Sequence, residues 1–493
     1  MTLAENAPLE LPSLPSSRGG PRVRGRTDLL AQFAILSWAA LCFAGSSAAQ
    51  VLQDPPTPFG PLVYDDQFTD PSKPPGVSAS LKNIPLGSHP GWYVNFGGSL
   101  RERFESFSNS AFGFPQAGGV PAESYLLHRF LLSSDFHLGP YFRTFIQLGE
   151  EEEFGRRPGP QPTDIDRGDL AQGFIELNLP VTEGTTANIR AGRQEMMFGS
   201  SRLVDVREGP NIRQSFDGVR AWTTANDARV DAFWTRPVVN KPYWFDDQPD
   251  PGQQFFGIYA TTPVKAVPGL SIDIYYMGLD RNAAPLDAGT ANEQRHSVGA
   301  RFFGTAGPVD YNFEGIYQFG QFGSRPISAF ALFSDTGFTF ASVWGRPRLA
   351  IKADIASGGD SRGAGSLGTF YPLFPKNNYF NEANIQTPMN YMDLYPYVKI
   401  QPRTDLAFTA GSDILWRQNT NDSFYQPPGV PIIPGNANSQ QFLGVALNLQ
   451  AEWQATPNLN LNVAVVHFFA EGFLRAAGAQ DITWTGLWAT FNF

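Results

Sequence analysis

Only one cysteine occurs in the 493 residues, Cys42. It falls within an N-terminal stretch that reads as an export signal, so the processed chain has neither disulfides nor thiol chemistry. Charge is sparse as well: Asp, Glu, Lys and Arg make up 17% of the residues, below the quarter or so usual in soluble domains. Beyond the signal, no run approaches the roughly 18 apolar residues of a spanning helix, and the mean hydropathy is −0.23. A polytopic helical membrane protein is therefore excluded. Removing residues 1–49, with their four arginines and three acids, leaves 32 basic residues against 43 acidic ones, a net charge of −11. That acidic balance argues against nucleic acid as a partner.

Aromatic residues and turn formers are abundant instead. Aromatics make up 14% of the chain, with 41 Phe, 16 Tyr and 10 Trp, beside 49 Gly and 41 Pro. A transmembrane β-barrel accommodates all of this, because only every second strand residue must be apolar. The chain ends in Thr483-Trp484-Thr485-Gly486-Leu487-Trp488-Ala489-Thr490-Phe491-Asn492-Phe493. Leu487, Ala489, Phe491 and Phe493 share one face of that strand, Thr490 and Asn492 the other. A strand running to the last residue would be an aggregation-prone free edge in a soluble protein. In a closed barrel it is the closing strand, with its last aromatic in the girdle at the membrane surface.

Three regions follow from the pattern. Arg18, Arg22, Arg24 and Arg26 precede a mostly apolar run from Leu29 to Phe43, and Ser47-Ala48-Ala49 offers a cleavage site before Gln50. Residues 1–49 are thus a signal peptide, with a short anchor helix as the alternative. Residues 50–91 are Pro-rich and aperiodic, a periplasmic lead-in or a small plug. Residues 92–493 hold about 18 alternating segments, an outer-membrane barrel. In the first, Val94, Phe96, Leu100 and Phe104 oppose Asn95, Ser99, Arg101, Arg103 and Glu105, with Glu102 an exception on the apolar face. Short links, such as Gly139-Pro140 and Pro402–Thr404, alternate with mostly longer ones, including Glu150–Asp169, Glu195–Arg213, Leu279–Glu293, Gly320–Arg325 and Gly358–Pro388. Short periplasmic turns and long outer loops produce that alternation; a sandwich or propeller has no reason to.

The polar faces carry charges of both signs, a costly arrangement against lipid, so the interior is filled with water or with loops. Pore-lining residues on this reading include Arg101, Arg103, Arg129, Arg143, Arg190, Arg220, Arg301, Arg348 and Lys352, with Glu176, Glu314 and Asp354 among the acids. Each either contributes to selectivity or forms a cross-strand ion pair that stiffens the wall. The run Glu150–Glu153 and the loop Gly358–Gly363 are either solvated or weak outer-loop Ca²⁺ sites. No cofactor is expected. His-Glu-x-x-His, Gly-x-Ser-x-Gly and phosphate-loop motifs are all missing, so an outer-membrane enzyme is disfavoured.

One stretch adds specificity. Ile189-Arg190-Ala191-Gly192-Arg193-Gln194-Glu195 leads to Arg202-Leu203-Val204 and then to Ser215-Phe216-Asp217-Gly218-Val219-Arg220. This resembles the alginate export family of outer-membrane barrels, as do Pro347-Arg348-Leu349, Ala356-Ser357-Gly358-Gly359-Asp360 and Phe370-Tyr371-Pro372-Leu373-Phe374-Pro375. Covering roughly residues 92–493, the resemblance implies an 18-stranded monomeric barrel in the bacterial outer membrane. It also implies an anionic polysaccharide cargo guided by basic lumen residues, with Arg190, Arg193, Arg220 and Arg348 at matching positions. The nearly balanced inward charges depart from a strongly basic lumen. The expected surroundings are outer-membrane lipid and lipopolysaccharide, with periplasmic secretion partners for an exporter. A substrate-selective porin for uptake of small solutes is the alternative, and a surface-binding or structural barrel a third.

Overall fold

The computed structural model describes residues 59–66 and 80–493, apart from 158, 361, 362, 364 and 377. The expected signal at 1–49 lies outside the described residues, as does much of the Pro-rich stretch. Eighteen strands follow: β1 (Trp92–Ser108), β2 (Ala122–Leu138), β3 (Phe142–Phe154), β4 (Asp166–Thr182), β5 (Thr185–Glu195) and β6 (Ser215–Ala225). Next come β7 (Ala228–Val239), β8 (Gln253–Pro263), β9 (Leu270–Leu286), β10 (Gly289–Ala306), β11 (Val309–Phe322) and β12 (Arg325–Thr339). The last are β13 (Arg348–Ala356), β14 (Tyr391–Arg403), β15 (Leu406–Trp416), β16 (Phe442–Gln454), β17 (Leu459–Ala470) and β18 (Ile482–Asn492). Each pairs antiparallel with its neighbour in sequence, and β18 returns to β1, from Ser99 opposite Asn492 to Ser108 opposite Thr483. The ring is closed, with the expected strand number and the expected closing pair.

Burial is inverted relative to a soluble protein. Arg101, Arg129, Arg190 and Arg295 are fully buried toward the lumen, whereas Leu132, Ile146, Ile175, Ile274, Leu349 and Leu449 on the outer face are 42–62% exposed. Lipid, not solvent, satisfies that outer face. The Glu102 exception has a partner there. Glu102 stands opposite His128 in register, and His128 Nδ1 lies 2.6 Å from its carboxylate.

The seam depends on close backbone approach. The Phe493 amide donates to the Gly98 carbonyl, and the Gly98 amide to the Phe493 carbonyl, each at 3.0 Å. A Cβ on Gly98 would lie 2.2 Å from the Leu131 carbonyl oxygen and 2.7 Å from the Phe493 ring. Only glycine lets the terminal aromatic lie flat across the joint.

The connections differ from expectation in three places. Glu150–Glu153 is not a loop: it lies within β3, so its side chains alternate between faces, with Glu151 buried inward and Glu152 paired outward with Arg167 at 2.5 Å. The segments at Leu279–Glu293 and Gly320–Arg325 are strand for most of their length, closing in tight hairpins after Leu286 and Phe322. Cross-strand pairing prolongs them; Arg281 Nε, for instance, donates to Glu293 at 2.7 Å.

Of the segments that fold into the buried interior, three bear on the lumen described below. The β5–β6 connection (196–214) and the β13–β14 connection (357–390) meet in the lumen. There the Phe374 amide donates to the Leu203 carbonyl at 2.8 Å, the Asp205 amide to Phe374 at 2.9 Å, and the Lys376 amide to Ser201 at 2.9 Å. Their Phe198, Leu203, Val204, Phe370 and Phe374 pack on inward Phe216, Phe233 and Phe255 of the wall. Residues 59–66, assigned above to the periplasmic lead-in or plug, form the third insertion: Tyr64 packs against Phe145 and Phe174 and donates to the Glu195 carbonyl at 2.7 Å. Polar faces read from alternation alone thus contain aromatic patches where the inserted segments land.

Gly98→Leu is expected to block closure, since forced overpacking costs roughly 1–3 kcal/mol or more. Unheated gel migration checks this: the variant should lose the compact, fast-migrating form, and normal migration would show that the seam tolerates a side chain.

Candidate functional site: the loop-laced lumen

Antiparallel register lines the inward charges into rungs. Arg143, Glu176, Arg190 and Arg220 are successive cross-strand partners from β3 to β6. Arg101, Arg129, Glu151 and Asp166 form a second rung from β1 to β4. Most of these groups already hold a partner. Arg190 donates to Glu176 at 2.8 and 2.5 Å and is covered by the Tyr64 ring 4.0 Å away. Arg143 binds Asp135 at 2.7 Å and the Tyr64 carbonyl at 2.5 Å; Arg220 binds Asp231 at 2.7 Å. Arg193 reaches Asp217 at 2.9 Å, Arg301 reaches Asp273 at 2.7 Å, and Arg103 reaches Glu105 at 2.6 Å beneath the Trp488 ring. Glu314 accepts from Tyr275 at 2.6 Å and from Arg202 at 2.9 Å, and Asp354 from Tyr379 at 2.6 Å. These pairs stiffen the wall and neutralise one another.

A cavity of about 420 Å³ is lined differently. It opens between the inner ends of β11–β14, β16 and the inserted 357–390 segment. Arg348 is anchored there by Asp310 at 2.8 Å and Asp335 at 2.9 Å. Lys352 and Lys376 also line the cavity, and among the described residues neither has an ion-pair partner. Lys352 sits among the rings of Tyr379, Tyr395 and Tyr397, at 5.3, 5.5 and 6.0 Å. Buried Asp354, Asp393 and Asp413 lie within its electrostatic reach. Lys399, Asn378, Asn381, Thr409, Asn448, Gln450 and one further carboxylate, Glu382, complete the polar lining. The volume is in the range of small-molecule sites. Alternation with Lys399 placed Tyr395 and Tyr397 inward too, so both were readable from sequence. Lys376 and Tyr379 were not, because nothing local tells an inserted loop from one that stands in water.

Glu208, also missed, secures the 196–214 segment. Its carboxylate bridges Arg101, Arg129 and Arg213, while the Arg101 guanidinium donates to the Glu208 and Pro210 carbonyls at 2.5 and 2.9 Å. Asn211 completes the anchor, donating to the His128 and Asp164 carbonyls at 2.9 Å. The enclosing protein opposes the Glu208 charge although its side chain is 47% exposed to the lumen, but the three arginines outweigh that and hold the carboxyl below the usual range. Its folded value is below the unfolded value of about 4.3. The contribution is therefore complete above that pH and is lost only as pH falls toward the folded pKa. Current noise from this segment should stay flat from about pH 8 to about pH 5 in single-channel recordings. Glu208→Gln should raise it several-fold at neutral pH; a quiet variant would show that the segment is held by its other contacts.

Comparisons place these features among known proteins. The family model described as Alginate export matches residues 92–486. No curated protein matches the chain. Among solved structures, the barrel is similar to Pseudomonas aeruginosa OccK2 (OpdF) in complex with glucuronate, at 8% identity and a TM-score of 0.55, covering 81% of this chain and 98% of that one. It is similar to Acinetobacter baumannii OccAB1, at 12% identity and a TM-score of 0.54 over 81% and 96% of the two chains. P. aeruginosa OpdK with vanillate gives 10% identity and a TM-score of 0.51 over 81% and 98%. At such identities the likeness is one of fold. With a closed ring, a lipid-facing belt and a family match over most of its length, this chain is an outer-membrane channel barrel that belongs to the alginate export family.

Proposed function

We propose that the channel passes carboxylated saccharides, with the Lys352–Lys376 cavity as the place where a uronate carboxylate is held. One observation carries this reading: in a lumen where most guanidinium groups are already neutralised, two lysines without ion-pair partners share a roomy cavity with three tyrosines. Ammonium groups bind carboxylate through charge-assisted hydrogen bonds, and tyrosine faces suit the apolar face of a sugar ring. The glucuronate bound to OccK2 has the same chemistry, a carboxylate on a hexose ring. The paired arginines, including Arg190, Arg193 and Arg220, act on this view by stiffening the wall, not as direct contacts. Catalysis forms no part of the proposed role.

The lacing of the two inserted segments favours a second reading, uptake of small carboxylates. A continuous polymer would need the Leu203–Phe374 ribbon to part, whereas a monomer needs only side-chain motion.

Planar-bilayer recording separates the two. Polyuronate should block the current, and Lys352→Gln should weaken that block about tenfold, since one charge-assisted hydrogen bond is worth roughly 1.5–3 kcal/mol. Block by monomeric uronate with indifference to the polymer would favour uptake. Indifference to both, with conductance intact, would refute the carboxylate reading.

A further inference from the structure

Away from that cavity, at the outer end of the lumen, four carboxylates converge with little to neutralise them. Asp166 and Asp169 open β4, and Asp247 ends the 240–247 segment of the β7–β8 connection. Ligand oxygens of these three lie within 4.8 Å of one another, the span of two oxygens on opposite sides of one ion at about 2.4 Å. The Asp169 carboxylate accepts from the amides of Asp246 and Asp247 at 2.9 and 3.2 Å, and Asp247 accepts from the Lys241 amide at 2.7 Å and the Asn240 side chain at 2.9 Å. These bonds aim the carboxylates without cancelling their charge.

Two further observations favour a cation site. Asp166 is 4% exposed, and its Oδ1 is buried without any hydrogen-bond partner. Glu151 is also 4% exposed and stands directly opposite Asp166 in register, with no ion pair among the described residues. Like charges directly opposite in a sheet are destabilising, more so when both are buried. Gly149 makes room for the arrangement: a Cβ there would lie 2.9 Å from Glu151 Oε1. Glu151, Asp166, Asp169 and Asn240, together with Glu195 and Arg213, line a space of about 20 Å³ beside the three aspartates, enough for one water or ion.

The nearby cations neutralise the cluster only in part: Arg213, at the edge of the space, is paired with Glu195 and Glu208. Arg193 approaches Asp169 at 3.9 Å and Asp247 at 3.7 Å, but donates to Asp217, to the Leu170 carbonyl and, at 3.4 Å, to the Asp247 carbonyl. Arg129, across from Glu151, is drawn to Glu208. We propose that Asp166, Asp169 and Asp247, with Glu151 behind them, bind one Ca²⁺ that fastens the 240–247 segment to the head of β4. Oxygen-only ligands dominated by carboxylates suit that ion. Of the Glu150–Glu153 run, read from sequence as solvated or as a weak Ca²⁺ site, only Glu151 takes part in this cluster, with partners from other segments.

The test uses the folded, full-length barrel in detergent, stripped with EGTA and titrated with CaCl₂ by calorimetry. One saturable site per chain is expected, with a Kd of roughly 10⁻⁴–10⁻³ M as in other extracellular modules. Asp166→Asn and Asp247→Asn should weaken it at least tenfold, and Asp287→Asn in the β9–β10 hairpin should not. Hydrogen exchange of the unmodified protein provides a readout independent of any variant's folding: Ca²⁺ should slow the amides of residues 240–247. No saturable binding below about 10 mM, binding undiminished in folded Asp166→Asn, or exchange indifferent to Ca²⁺ would each overturn the proposal.

Discussion

Lipid offers no hydrogen bonds, so every strand in the membrane must find its backbone partners within the sheet. The rest of the molecule depends on that requirement. It forces β18 back onto β1, brings Phe493 against Gly98, and sets a register in which direct partners share a face. Once register is set, charges spaced two apart along each strand become rungs around the lumen. Arg143, Glu176, Arg190 and Arg220 are far apart in sequence and adjacent only because four strands are in phase.

The rungs then divide the interior by electrostatics. Where opposite charges meet, as at Arg190–Glu176 and Arg220–Asp231, each neutralises the other and the wall stiffens. Where a lysine faces tyrosines, or aspartates face a glutamate, no close ion pair forms among the described residues. The first case gives the cavity around Lys352, proposed above for a carboxylate; the second gives the acidic cluster at Asp166, proposed above for Ca²⁺. On these two proposals one lumen would carry local preferences of opposite sign that its overall charge balance conceals.

The inserted segments decide how much of the lumen stays open. Buried aromatic contacts hold them, Phe374 against Phe216 and Phe255 with ring centroids 5.0 Å apart, together with the Glu208 anchor. Hydrophobic burial inside a nominally polar barrel is therefore what narrows the channel. Loosening the ribbon would widen it without changing the wall.

Much of this was legible in the chain itself. Period-two alternation from Trp92 onward, the strand ending in Phe493 and the alternating link lengths determined the barrel, its strand number and its closing pair, because those are local patterns that lipid enforces everywhere along a strand. The inward positions of Arg101, Arg190, Arg348 and Lys352 followed from the same alternation. Which of them would be neutralised did not follow, since ion pairing depends on register between strands and on loops that arrive from elsewhere. Glu208, Lys376 and Tyr64 reached the lumen on segments with no periodicity to read. Glu151 was visible only as one of four consecutive acids. The tertiary structure alone turned it inward opposite Asp166, because strand β3 extends further than its sequence suggested and a pleat alternates its faces.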